Sequence, residues 1–428
     1  MTYQYRSAAT RALPACRLLL LLMLLLGAVT TRAAESAALS LREAIDATLR
    51  EHPQLQSYRF REQALAGERS TAALRPPLQL NAGLEDAFGS GALNMLERAE
   101  LTLSLSQVIE LGTQRDARIN TVTQRVDLLR AEQRVTELDL LAEVARRFIA
   151  TAAAQEQVAL EQRAVSLAQQ TLDALQPLVD AGQTPASEQA RATAMLERAR
   201  LAAAQAQTTL AAARIDLASM WNAATPDFAA VSADLLQVGT SGAVSDLLLA
   251  LDSNPDLLLF ASEERLLDAQ LLEAQSAQRG SVQLTAGIRH LRDGNDTGFV
   301  VSASMPLGSR QRASGAIAAA MANREEVATR RATALNRMRA QLSGLHLQLQ
   351  HAIVEVDTLR TTVLPQLENA LQQTRDAYLG GRYSYVELVG AQREYLDAER
   401  ALLDAATDAH LLRAEIERLS GAALSQEP

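Results

Sequence analysis

This sequence predicts a mainly α fold with one membrane β-hairpin in each of two repeats, and three observations predict it. The same order of features occurs twice along its 428 residues. Long stretches with apolar residues at helical spacing run almost free of glycine and proline. Four short segments switch instead to alternation of apolar and polar residues, the period of a strand with two different faces.

Composition narrows the class first. Only 3% of residues are aromatic while 48% are hydrophobic, which suits packed helices better than a compact enzyme core. All 41 basic residues are arginine, the net charge is -9 and there is no basic block, so nucleic acid binding has no electrostatic basis. Arg6, Arg11 and Arg17 precede an apolar run from Leu18 to Val29 and then the small residues Ala33-Ala34. That order reads as a signal peptide over residues 1–34. The run is short for a permanent membrane helix. Cys16, the one cysteine, lies before it rather than directly after it, so we expect an exported chain that is not lipidated and has no disulfide.

The repeat places the domains. HPQLQ from His52 matches NPDLL from Asn254, LQLNAGL from Leu78 matches VQLTAGI from Val282, LSLS from Leu103 matches VSAS from Val301, and GQTPASE from Gly182 matches GRYSYVE from Gly381. We read residues 35–222 as the first repeat, 223–242 as a linker, 243–420 as the second repeat and 421–428 as a tail. Each repeat runs helix, strand, strand, long helix, tight turn, helix. The opening helices are expected over Ser40–Leu74, ending at Pro76-Pro77, and over Val244–Gln278, ending at Gly280. From Thr113 to Gln176 there is no glycine or proline, which predicts a rod roughly 95 Å long. A second rod, Ser309–Leu379, is interrupted at Gly315, Gly344 and Pro365. The return helix (Ala186–Asn222) and the next ascending helix (Val244–Gln278), stacked end to end, would match one rod. The linker, with Pro226, Gly239 and Gly242, is expected to be irregular and outside the helical stack.

The strands are expected at about 78–86, 101–108, 282–290 and 297–305. Leu80, Leu84, Leu103, Ile288 and Val301 mark one face; Asn81, Ser104, Thr285 and Ser302 mark the other, with Val300 the poorest match. Such segments suit a tilted strand between lipid and a water-filled lumen. Arg289 falls on the lumen face, where a solvated charge is the simple reading and an influence on ion preference the functional one. Four strands cannot close a barrel, and an open sheet edge in lipid leaves backbone groups unsatisfied. Several copies must therefore share one barrel, although these considerations leave the subunit number open.

Two tight turns separate the long helices. Gly182 and Gly381 supply the left-handed conformation that such turns need. Thr184 and Ser384 read as caps of the following helices, with Glu188 and Glu387 in their first turns. His346 and His351 are five apart and off one helical face, while His52, His290 and His410 stand alone. No metal site, cofactor site or catalytic residue is expected.

The stretches LEDAFGSG (Leu84–Gly91), LTLSLSQVIELGTQRDARI (Leu101–Ile119) and GFVVSASMPLGSRQRASGAI (Gly298–Ile317), duplicated in order and separated by rods, resemble the TolC-like outer membrane factor family. The likeness covers essentially the whole exported chain and is nearest to the CzcC-like heavy-metal efflux branch. It implies a homotrimer with an α-barrel below a shared twelve-stranded barrel in the outer membrane of a Gram-negative bacterium. It also implies docking on a periplasmic adaptor, and through it on an inner-membrane pump of the resistance–nodulation–division type. The turns at Gly182, Gln183, Thr184, Gly381, Arg382 and Ser384 would then form the adaptor-docking tip. Glu387 matches the family's first acidic gate position, with Glu188 as its companion, whereas Gly390 stands where a second acid often occurs. Val108 replaces a proline that Pro306 keeps in the second repeat. Drug efflux and type I protein secretion remain alternatives within this class, and a soluble periplasmic coiled-coil scaffold remains one outside it.

Overall fold

The computed structural model describes residues 38–93 and 96–421. The expected signal peptide with Cys16, and the tail beyond Gly421, lie outside the described residues. The first repeat contains α1 (Leu41–Glu51), α2 (Pro53–Ala72), β1 (Gln79–Glu85), β2 (Glu100–Glu110), α3 (Gln114–Asp180) and α4 (Ala186–Ala218). The second contains α5 (Val244–Ala250), α6 (Pro255–Ser276), β3 (Ser281–Leu291), β4 (Asp296–Ser304), α7 (Ser309–Thr358), α8 (Leu364–Leu379) and α9 (Tyr385–Ser420). No described helix is long and apolar enough to cross a membrane.

The opening helix of each repeat is broken, which corrects the expectation of continuous helices over Ser40–Leu74 and Val244–Gln278. The breaks fall at His52-Pro53 and Asn254-Pro255, inside the repeated pentapeptide. Proline restricts the residue before it to extended backbone, and His52 and Asn254 both adopt it. Each then caps the helix that its proline opens: His52 Nδ1 accepts from Gln54 N at 3.2 Å, and Asn254 Oδ1 from Asp256 N at 2.7 Å.

These breaks also correct the expected stacking. The helix below α6 is α9, from its own repeat, rather than α4. The fully buried Asn254 donates its amide to the carbonyls of Leu419 (2.8 Å) and Arg418 (3.3 Å), the last turn of α9, while its oxygen caps α6. One side chain thus joins two helix ends. Arg418 reinforces the joint through Asp256 on α6 and Asp139 on α3, each at 2.6 Å. In the first repeat the end of α4 packs on α1 through Leu217, Ala218, Leu41 and Ala44.

The α3 rod, 67 residues, is about 100 Å long. Its upper half is tied to α2 by Tyr58–Thr136 and Arg61–Glu132, and to α6 by Thr121–Glu273. Its lower half lies against α4 and α9. The second rod ignores Gly315 and Gly344 but widens to a π-helical turn at Leu359–Val363. Pro365 follows at once; it has no N–H to continue the ladder, and the extra residue absorbs the mismatch.

The linker is irregular but packed, not set apart. Phe228, Val231 and Leu235 are buried with Trp221 against Phe148 and Val144 of α3. Gln155 holds Val231 through its N–H (3.2 Å) and its carbonyl (3.4 Å), and His410 reaches the Leu235 carbonyl at 3.1 Å.

The strands form one antiparallel sheet in the order β1-β2-β3-β4. Leu80, Leu105, Ala286 and Val301 share one face of a row, and Asn81, Ser104, Gly287 and Val300 the opposite face of the next. Where β4 ends at Ser304, before Pro306, β2 continues past Val108 to Glu110. The absent proline leaves donors that extend the ladder opposite Gln283–Ser281.

Candidate functional site

Two regions bring the expected residues together: the helix tips at one end and the sheet at the other. At the tips both turns close alike. Gly182 and Gly381 have φ of 69° and 68°, and the following N–H groups of Gln183 and Arg382 return to the carbonyls of Leu178 and Ala377. These are Schellman closures, for which glycine is the residue of choice. Gln183, Arg382 and both glycines are exposed.

The helices that leave the turns start differently. Ser384 caps α9 as expected: its hydroxyl accepts from Glu387 N at 3.4 Å, and the Glu387 carboxylate accepts from Ser384 N at 2.6 Å. The bond from the Ser384 N–H, and then one donated by the Ser384 hydroxyl at 2.9 Å, hold the Glu387 carboxyl below the usual carboxylate range. Thr184 does not cap α4, contrary to expectation. Pro185 occupies that position, with neither a side-chain acceptor nor an N–H, and no capping box forms.

Glu188 is therefore left for other partners. It is half-buried and accepts from the Tyr378 hydroxyl, 3.5 Å away, across the gap between the two helical hairpins. Tyr378 and Tyr385 stack edge to face at 6.5 Å over Leu175, Ala192 and Leu388. Burial, then the neighbouring Glu188 charge, pushes both phenols up, so they remain neutral donors; the Thr184 hydroxyl partly offsets this at Tyr378. Further up, the buried Gln392 amide meets the Thr171 hydroxyl at 2.8 Å. Glu188 and Glu387 thus share one end of the molecule, the first tying hairpins together and the second closing its own helix. The two tyrosines escaped the sequence reading. The available signal was that Tyr378, Tyr383 and Tyr385 fall within eight residues of a chain with seven tyrosines.

In the sheet, the polar face is the enclosed one. Ser106 and Ser104 are 1% and 8% exposed, whereas Phe299 and Val301 on the apolar face are 91% and 81% exposed. A Cβ on Gly287 would lie 2.5 Å from that of Ser104, so the small residues of this face allow the close approach of β2 and β3. The apolar side is thus the exposed one, and β1 and β4 are unpaired at the edges of the sheet. Arg289 is on the polar face as expected, but it is not a bare solvated charge. It bonds Glu100 at 2.8 Å and the Thr102 hydroxyl at 3.0 Å, and lies 3.6 Å from Glu85.

The histidines are dispersed. His346 is buried, His351 is exposed beside Glu355 at 3.8 Å, and His410 serves the linker. Among the described residues no three His, Cys, Asp or Glu side chains are grouped to hold a metal ion.

Residues 44–223 match the model of the family described as outer membrane efflux protein. The chain is 27% identical over 327 residues to the cobalt-zinc-cadmium resistance protein CzcC of Cupriavidus metallidurans, covering 75% of this chain and 77% of that one. It is 28% identical over 236 residues to the nickel-cobalt-cadmium resistance protein NccC of Alcaligenes xylosoxydans xylosoxydans, covering 54% and 52%. Among solved structures, CusC superposes with a TM-score of 0.74 at 17% identity, covering 91% of this chain and 94% of that one. The open-state outer membrane channel MtrE of Neisseria gonorrhoeae superposes at 0.71 with 20% identity, covering 91% and 90%.

Proposed function

We propose that the chain, which matches the outer membrane efflux protein model over residues 44–223 and is similar to CzcC over 75% of its length, is the exit duct of a tripartite efflux system that carries heavy-metal cations out of a Gram-negative cell. The observation that carries the reading is the four-stranded sheet, apolar outside and polar inside, mounted on rods about 100 Å long. Such a sheet needs further copies to close, and three copies give the twelve strands of a family barrel. The rods then enclose a tunnel that reaches through the periplasm. The duct does no chemistry; a pump supplies the work and the lumen supplies a water-filled path.

The two tips, with Gly182, Gln183, Thr184, Gly381, Arg382 and Ser384 exposed or half-exposed around their turns, are the surface on which an adaptor docks. Glu387 and Glu188 form the acidic ring at the narrow end. The metal assignment rests on relatives named for resistance to cobalt, zinc, cadmium and nickel. A deletion strain should lose tolerance to one or more of Zn, Co, Cd, Cu and Ag, and the cloned gene should restore it. Unchanged metal tolerance with new drug sensitivity, or loss of a secreted protein, would move the cargo to another class and leave the duct standing. Detergent extracts of outer membrane should contain a heat-stable trimer; a monomer in the soluble periplasmic fraction would instead favour the scaffold reading.

A further inference from the structure

We propose that the outer rim of the barrel is a charge filter that favours cations, built from a row of carboxylates on the lumen face and moderated by Arg289. The proposal rests on the duct reading. It begins with what the lumen face lacks. From the helix end outward, Glu110 is neutralised by a forked ion pair with Arg118. Beyond it the face presents Val108, Ser106, Ser104 and Thr102 on β2, flanked by glutamine, asparagine, serine, threonine and glycine on the neighbouring strands. Apart from Val300 the neighbours are small or polar, and no charge appears until Arg289 in the row of Thr102, with the carboxylates in the next row, beside the hairpin loops.

In that row Glu85 stands opposite Glu100, Glu100 opposite Leu291, and Leu291 opposite Asp296. Three of four strands thus bring a carboxylate to one level. Like charges directly opposed across antiparallel strands repel. Arg289, one row further in, answers the Glu85–Glu100 pair with one guanidinium: 2.8 Å to Glu100, 3.6 Å to Glu85, and a further bond to Thr102 at 3.0 Å. Asp296 makes no ion pair among the described residues. The loop pair Arg98–Asp293, at 3.1 Å, is balanced by itself.

On the strands each chain therefore sets three carboxylates against one guanidinium, the adjoining loop residues Asp86, Glu97 and Arg292 add one further net negative charge, and every copy in the barrel adds the same set. A purely structural cross-strand tie would need one acid for one base. The excess leaves a negative potential at the outer mouth, between low-dielectric walls that focus the field. Screening over about 8 Å at physiological salt confines its action to ions already in the mouth. No single ion is bound; cations are admitted and anions are disfavoured as cargo leaves.

The test is the reversal potential of the purified channel in a planar bilayer under a KCl gradient. Arg289→Gln should raise the cation-to-anion permeability ratio by roughly two- to fivefold, and the double variant Glu85→Gln, Asp296→Asn should lower it by a similar factor. Arg289→Lys keeps the charge but loses the forked geometry, so it should stay at the parent value even if trimers become less heat-stable. Equal reversal potentials in parent, Arg289→Gln and the double variant would overturn the filter while leaving a conducting duct. So would a shift in Arg289→Lys as large as in Arg289→Gln. A parent chain that forms no conducting channel would overturn the duct reading itself, and the filter with it.

Discussion

At the residue scale, the two glutamates six positions after each turn glycine show how one substitution redirects a repeated motif. Ser384 locks Glu387 into a capping box, whereas Pro185 in the matching position leaves Glu188 free to reach Tyr378. The Glu387 carboxyl is held low by bonds to Ser384, so its contribution is present above the unfolded carboxylate value and is lost as pH falls through the lower folded value. Acidification should loosen the second tip, read as faster amide exchange at Ser384–Leu388, and Glu387→Gln should remove that pH dependence. The same variant tests the acidic ring: unchanged single-channel conductance and unchanged block by divalent cations would exclude Glu387 from the gate. Tyr378→Phe deletes the tie between hairpins and should weaken their association by about 1 kcal/mol, measured as faster protease nicking at the tips. The turn glycines and the Ser384 cap were legible because they depend on neighbours in sequence. Tyr378–Glu188 was not, because its partners come from different repeats.

At the element scale, the long rods and the strand alternation could be read from periodicity, whereas the helix joints could not. The break itself was written in the X-Pro step at His52-Pro53 and Asn254-Pro255, since proline opens a helix but is not accommodated inside one; what each joint packs against was not. The decisive contact, Asn254 to the end of α9, spans about as much sequence as a whole repeat and leaves no local trace. Asn254→Ala should remove the α6 cap and strand two carbonyls of α9, destabilising the joint by about 2–3 kcal/mol; denaturant unfolding of the trimer would measure it. Asn254→Asp retains the cap but turns a carboxylate toward the same carbonyls, so it should not rescue the loss. In the second rod, Pro365→Ala restores the missing donor and should slow amide exchange across Leu359–Val363 if the proline causes the π-turn.

At the scale of the whole molecule, function depends on two faces of a sheet only one residue thick, and neighbouring positions on β4 separate their roles. Val301 lies on the exposed apolar face and Ser302 on the polar face of the same strand. If the apolar face meets lipid, Val301→Arg places a guanidinium in the hydrocarbon layer at a cost of about 2–4 kcal/mol per copy near its midplane. Trimers in the outer-membrane fraction should fall sharply. Ser302→Arg adds the same charge and bulk one position along, but into water, so trimers should form and the change should appear as reduced conductance with lower cation preference. A soluble scaffold would reverse nothing between the two sites, because both faces would meet solvent or protein. Equal assembly of both variants would therefore remove the membrane role of the sheet, while equal failure would show that β4 tolerates no charge on either side and that the polar face does not line a lumen.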